Sequence, residues 1–108
     1  MHTLHLPESL KCEDYASLDV SGDRIAVVSQ ASSLLWIGRF KDSAGNLADP
    51  GRVYRFPLNR KQKPCYCNVE GIAWLGPDLI LTVSDKRKRG KQPKRCGRKD
   101  QSIHIFRI

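Results

Sequence analysis

Residues 14–29, Asp14-Tyr-Ala-Ser-Leu-Asp-Val-Ser-Gly-Asp-Arg-Ile-Ala-Val-Val-Ser29, return in altered form as residues 68–84, Asn68-Val-Glu-Gly-Ile-Ala-Trp-Leu-Gly-Pro-Asp-Leu-Ile-Leu-Thr-Val-Ser84. The two copies lie 54 residues apart before their central turn and 55 after it, in a chain of 108. Each holds a short run, a turn built on Ser21-Gly-Asp23 or Gly76-Pro-Asp78, and a second run, so each predicts a β-hairpin. The second runs, 24–29 and 79–84, are apolar at both alternating positions, which is the pattern of a strand covered on two faces. Repeats of about 40–50 residues holding several such strands are the mark of propeller blades, each sandwiched between two neighbours.

Working outward, third runs follow at 34–40 and 102–108, and the first repeat adds a fourth, Arg52-Val-Tyr-Arg-Phe-Pro57. The second repeat has none. Its counterpart lies at the other end of the chain, where His2-Thr-Leu-His-Leu-Pro7 matches 52–57 at an offset of 50, with Leu4 on Tyr54, Leu6 on Phe56 and Pro7 on Pro57. The expected fold is therefore all-β: two four-stranded propeller blades per chain, within one module spanning 1–108. Residues 2–7 form an outer latch strand, 13–58 blade one, and 66–108 blade two.

Two blades cannot close a ring, so closure is expected by oligomerisation, with the N-terminal strand of one copy completing the last blade of another. An isolated pair of blades leaves two apolar flanks, larger than a soluble monomer ordinarily exposes. Hiding about 800 Å² of apolar surface between subunits is worth roughly 20 kcal/mol before association costs. Cyclic closure favours three copies, giving six blades, with four copies next. A longer parent chain satisfies the same physics, and a self-contained two-sheet sandwich is the alternative.

No basic and apolar leader and no apolar run of about 20 residues occurs, which predicts a soluble, cytoplasmic protein without membrane contact. The four cysteines, Cys12, Cys65, Cys67 and Cys96, are expected to be reduced by default. A bridge from Cys96 to Cys65 or Cys67 and a zinc site remain as alternatives, although one short Cys-x-Cys is poor zinc spacing. His2, His5 and His104 read as outer-strand polar positions, with a metal site as the lesser alternative.

The net charge of +8 is concentrated in one place. Residues 86–99 carry nine of the 19 basic residues and no acid, leaving the other 94 residues at −1. This basic loop, with Lys86, Arg87, Lys88, Arg89, Lys94 and Arg95, reads as a solvated insertion, a polyanion or nucleic-acid binder, or a site for a phosphorylated ligand. Aromatic residues are absent from it, so base stacking is not expected there.

Propeller geometry gathers the segments that enter inner strands and leave second strands at one channel mouth. These are 12–14, Gln30, 65–71, and Asp85 with the basic loop. Asp14, Asn68, Glu70 and Asp85 are the candidate ligand-binding residues beside the basic side chains. Three roles stay open for Glu70: accepting backbone hydrogen bonds that fix blade register, helping Asp85 hold a hard cation such as Ca²⁺, or acting as general acid or base. No resident cofactor is expected otherwise.

The run Asn68-Val-Glu-Gly-Ile-Ala73 and the Val83-Ser-Asp85 pair resemble blades of the phytase-like and esterase-like propellers and related bacterial propellers. The resemblance covers about 40 residues of the second repeat and 25 of the first. It implies that Glu70 faces the channel, that Asn68 and Asp85 line its mouth, and that hydrolysis of phosphorylated or ester substrates is the rival to binding. The first repeat departs, with Ala16 in place of Glu70 and Gln30 in place of Asp85. The leading expectation is a binding or scaffolding propeller with an anion-attracting face.

Overall fold

A computed structural model describes residues 3–7, 14–85, 94–97 and 101–108. The described chain forms seven strands: β1 (Ser17–Ser21), β2 (Arg24–Ser29), β3 (Leu34–Arg39), β4 (Arg52–Arg55), β5 (Val69–Gly76), β6 (Leu79–Ser84) and β7 (Ser102–Arg107). They make two antiparallel sheets in chain order, β1-β2-β3-β4 (sheet one) and β5-β6-β7 (sheet two). Lys94–Cys96 form a single 3-10 turn between β6 and β7.

The two sheets repeat each other in detail beyond their strands. In sheet one, Gly22 takes a φ of 60° in the β1–β2 turn, a left-handed conformation that a residue without Cβ adopts at little cost. The next residue, Asp23, accepts the amide of Phe40 through its carbonyl at 2.7 Å and the guanidinium of Arg39 through its carboxylate at 2.7 Å. Asp78 does the same in sheet two, accepting the amide of Ile108 at 2.8 Å and pairing with Arg107. Both ion pairs are exposed and contribute little to stability, but they bind the hairpin turn to the third strand in each sheet.

The change of offset from 54 to 55 has a structural cause. Trp74 pairs with Ile80 and Gly76 with Leu79, so Leu75 is an extra residue in a β-bulge. A second bulge leaves Glu70 unpaired between Val69, opposite Ser84, and Gly71, opposite Val83. Bulges bend a strand and re-aim side chains, and Glu70 is exposed by this one.

Sheet two stacks on sheet one chiefly through β5, which lies across β1 and β2. Ala26, Val28 and Leu35 from sheet one meet Val69 and Ile80 from sheet two, with Ile72, Trp74 and Phe106 at the margin. Phe56, after β4, touches Phe106 and Tyr66 with ring centres 5.3 and 6.5 Å apart, anchoring the connection between sheets. On the far side of sheet one, Ile25, Val27 and Trp36 form a second cluster under Leu6, Phe40 and Leu47. The Trp36 ring fits there because Gly38 and Gly51 leave it room, and its Nε1 donates to the Pro50 carbonyl at 3.0 Å.

The N-terminal residues differ from the expected latch within this single chain. Residues 3–7 form no strand and pair with no part of β7; Leu6 lies instead on the outer face of sheet one. The apolar side chains of this segment find cover on Ile25 and Val27 when no second copy is at hand. Of the sandwich alternative, the two sheets stacked within one chain are formed, but residues 3–7 pair with neither of them.

Candidate functional site

The segments expected at a channel mouth do gather at one end of the stacked sheets. β1 and β5 begin there, while β2 and β6 end there. Asp14, just before β1, accepts the Ser29 hydroxyl at 2.7 Å and the Ala31 amide at 2.9 Å, closing the exit of β2 against the entry of β1. Gln30 then reaches across to sheet two, where its Nε2 donates to Oδ1 of Asn68.

Asn68 is the centre of this cluster. It is buried and adopts a φ of 58°, a left-handed conformation that asparagine tolerates better than most residues. Its carbonyl accepts the Asp85 amide at 3.1 Å, while its Nδ2 points to Glu70 Oε1 at 3.5 Å. Gln30, Asn68, Glu70 and Asp85 are thus brought together as expected, and Asp14 is one residue removed through Ser29. The residues that repeat Asp14 and Ser29 are Asn68 and Ser84, but Asn68 has turned toward Gln30 and the buried Ser84 hydroxyl has no partner among the described residues.

The basic residues Lys86, Arg87, Lys88 and Arg89 lie outside the described residues, as do Cys12 and His2. Lys94 and Arg95 are described and exposed, and Arg95 Nε donates to the Pro64 carbonyl at 2.7 Å. This contact holds the guanidinium beside the 65–67 turn. Among the described residues this end of the sheets carries both charges, with Arg95 held beside the 65–67 turn and Glu70 beside Asn68.

The default of reduced cysteines is corrected here. Cys67 and Cys96 are joined by a disulfide with a Cα separation of 5.6 Å, in the usual range for such a bridge, and both residues are buried. The bridge ties the end of the basic loop to the residue preceding Asn68. It also removes two of the four thiols a zinc site would have used. Cys65 stays a thiol, with its Sγ 3.3 Å from the Pro57 carbonyl. No three His, Cys, Asp or Glu side chains converge as metal ligands among the described residues. His104 instead packs edge-on to Tyr66, ring centres 5.0 Å apart.

Two functional contacts escape sequence reasoning. The register role imagined for Glu70 is filled by Asp19, whose carboxylate accepts the backbone amide of Trp74 at 2.8 Å across the two sheets. The signal lay in the repeat: Asp19 is a charged residue within an apolar alternation, where the second copy has Ala73. The bulge at Glu70 is harder to foresee, because Ala16 in the first copy gives no hint of it.

Among the described residues no helix is long and apolar enough to cross a membrane. No family model matches the chain, and no curated protein or solved structure matches it.

Proposed function

We propose that the chain is a two-blade propeller module of a ligand-binding ring, closed by identical copies, three in the favoured arrangement and four next, with a mouth that attracts phosphate-bearing anions. The observation that carries this reading is the Cys67–Cys96 bridge, which anchors a segment with nine basic residues next to Asn68. Without the bridge, that segment would be one more solvated insertion. With it, Lys94 and Arg95 are held at the end of the sheets where Gln30, Asn68 and Glu70 meet.

Binding is better supported than hydrolysis. The hydrogen-bond partners of the Asn68 side chain are an amide and a carboxylate, Gln30 and Glu70, and this group contains no nucleophile paired with a base. The resemblance to phytase-like and esterase-like propellers therefore bears on the shape of the blades more than on their chemistry. The bridge also bears on location, because such bonds persist in oxidising compartments. An oxidising setting fits it better than the cytoplasmic one expected from the sequence.

Retention of single-stranded DNA and of inorganic tripolyphosphate by the oxidised chain, measured across a salt series, tests the reading. Both should be retained at low salt and lost as salt rises. Replacing Lys94 and Arg95 together with alanine should flatten the logarithmic salt slope for DNA by about 1.4, at roughly 0.7 per lost phosphate contact. Retention of DNA alone assigns the site to a polymer, and retention of neither, or salt-insensitive retention, rejects the anion reading.

A further inference from the structure

The stack inside one chain joins two different surfaces. Sheet one presents Ala26, Val28, Leu35 and Ile37, and sheet two answers with Ile72, Trp74 and Ile80. The repeat carries each of these residues to a counterpart in the other sheet. Ala26 and Val28 correspond to Leu81 and Val83, while Leu35 and Ile37 correspond to Ile103 and Ile105; in the opposite direction, Ile72, Trp74 and Ile80 correspond to Leu18, Val20 and Ile25. Five of these seven counterparts are left exposed, whereas Leu81 is partly covered and Ile25 is buried in the cluster with Leu6, Phe40 and Leu47. Leu18 and Val20 are 60% and 48% exposed on sheet one, and Val83, Ile103 and Ile105 are 46%, 67% and 58% exposed on sheet two.

Each chain therefore carries an exposed copy of most of both halves of an interface it has already built. We propose that the outer face of sheet two docks the outer β1 face of a second copy, so that Leu18 and Val20 of one chain take against Leu81, Val83 and Ile103 of the next the places that Ile72 and Trp74 take within a chain. This rests on the ring reading and names the surfaces that close it. Apart from Tyr15 and Val53 on sheet one and Leu75 at its bulge, these residues make up the exposed large apolar side chains of the described chain.

Local shape agrees. The outer face of sheet two has a shallow apolar groove lined by Gly71, Ala73, Leu81, Val83 and Ile103. Its floor is low because a Cβ on Gly71 would stand 2.8 Å from Val83 Cγ1. On sheet one, Leu6, Phe40 and Leu47 cover the Trp36 side, Leu4 and Leu6 border a pocket shared with Leu18, Ile25 and Val27, and the part left exposed is β1 at Leu18 and Val20. That is the inner strand, and β5, its counterpart, is the strand that makes the internal stack. Leu18 and Val20 on one side and Leu81, Val83, Ile103 and Ile105 on the other are uncharged; Arg107, on the same face of β7, lies at its end opposite Leu79 and is paired with Asp78, so the apolar centre docks without burying an ion. Because the two surfaces differ, the contact is head-to-tail and propagates until rotation closes it.

A head-to-tail contact is distinguished from a face-to-face one by mixing. Val83→Asp spoils only the sheet two face and Leu18→Asp only the sheet one face; both positions are exposed, so circular dichroism and melting should match the parent chain. Each variant alone should run in sedimentation at the one-copy mass of 12.2 kDa, and an equimolar mixture should form a species of twice that mass. Assembly of Leu18→Asp alone, or no association in the mixture of folded variants, overturns the proposed surfaces while leaving a ring closed some other way. A one-copy mass for the unaltered chain overturns the proposed surfaces and the ring together.

Discussion

Trp74 donates its backbone amide to the carboxylate of Asp19 at 2.8 Å, and this bond joins the inner strand of one sheet to the inner strand of the other. The guanidinium of Arg24 lies 4.1 Å from the centre of the Trp74 ring, adding a cation–π contact at the same seam. Ala73 and Leu79 are the repeat counterparts of Asp19 and Arg24, so neither contact could recur between stacked copies of the chain. The polar seam fixes the two sheets within a chain, and the proposed contact between copies would rest on apolar surface.

Asp19→Ala should lower stability by about 1–2 kcal/mol, since a partly buried amide loses a charged acceptor. Asp19→Asn keeps an acceptor oxygen and should lose less. Urea midpoints of the two variants check this, and an unchanged midpoint for Asp19→Ala would remove the seam from the stability of the stack.

Gly51 and Gly22 both have positive φ, at 78° and 60°, but only Gly51 stands against a side chain. A Cβ at Gly51 would lie 2.4 Å from Trp36 Nε1 and 2.7 Å from the Ile37 carbonyl, whereas nothing stands within 4 Å at Gly22. Gly22→Ala should cost about 1 kcal/mol for the left-handed backbone alone, and Gly51→Ala about 2–4 kcal/mol. Tryptophan emission should shift with Gly51→Ala and not with Gly22→Ala.

Opening the Cys67–Cys96 bridge should cost about 3.6 kcal/mol, given the 29 residues of separation it spans. Cys96→Ser should lower the melting temperature to that of the reduced parent chain, while Cys65→Ser should leave the oxidised chain unchanged. Non-reducing peptide mapping that recovers Cys65 joined to Cys96 would contradict this pairing.

Asp42 titrates below its ordinary value, chiefly because the Asn46 side chain donates to its carboxylate, with the backbone amides of Asn46 and Ala44 adding to the effect. A folded-state value below the unfolded one gives stability that is present above the unfolded value and lost as pH falls through the folded value. The 42–46 turn should therefore hold at neutral pH and loosen in acid. Asn46→Ala should raise the Asp42 titration midpoint in a carboxyl NMR experiment; an unmoved midpoint would remove the side-chain bond as its cause.

Strand positions were legible because apolar residues at alternating positions leave few options. The runs expected at 24–29 and 79–84 form β2 and β6 with those bounds. Sequence also predicts cover on both faces of each. β2 has it, whereas β6 buries Ile80, Thr82 and Ser84 and leaves Val83 outside. That mismatch between pattern and single chain is the physical reason to look for a second copy.

Contacts across long separations were not legible. Nothing in the chain tells that Gly51 must clear the Trp36 ring, since the residue before β4 reaches the β3 side chain only after β3 and β4 pair. The bridge was one of several cysteine readings, because spacing alone does not choose between Cys65 and Cys67. At the mouth, the grouping of Gln30, Asn68, Glu70 and Asp85 follows from strand order, but the left-handed Asn68 and the bulge at Glu70 are decided by packing between the sheets.

The solution mass of the intact oxidised chain, by light scattering at several concentrations, bears most directly on whether these sheets stack from chain to chain. Head-to-tail stacking that closes at six blades gives a species of three times 12.2 kDa, discrete and free of larger polymers. A monodisperse species at 12.2 kDa with one cooperative melt would mean that Val83, Ile103 and Ile105 face water in the working protein, and the ring would have to be abandoned.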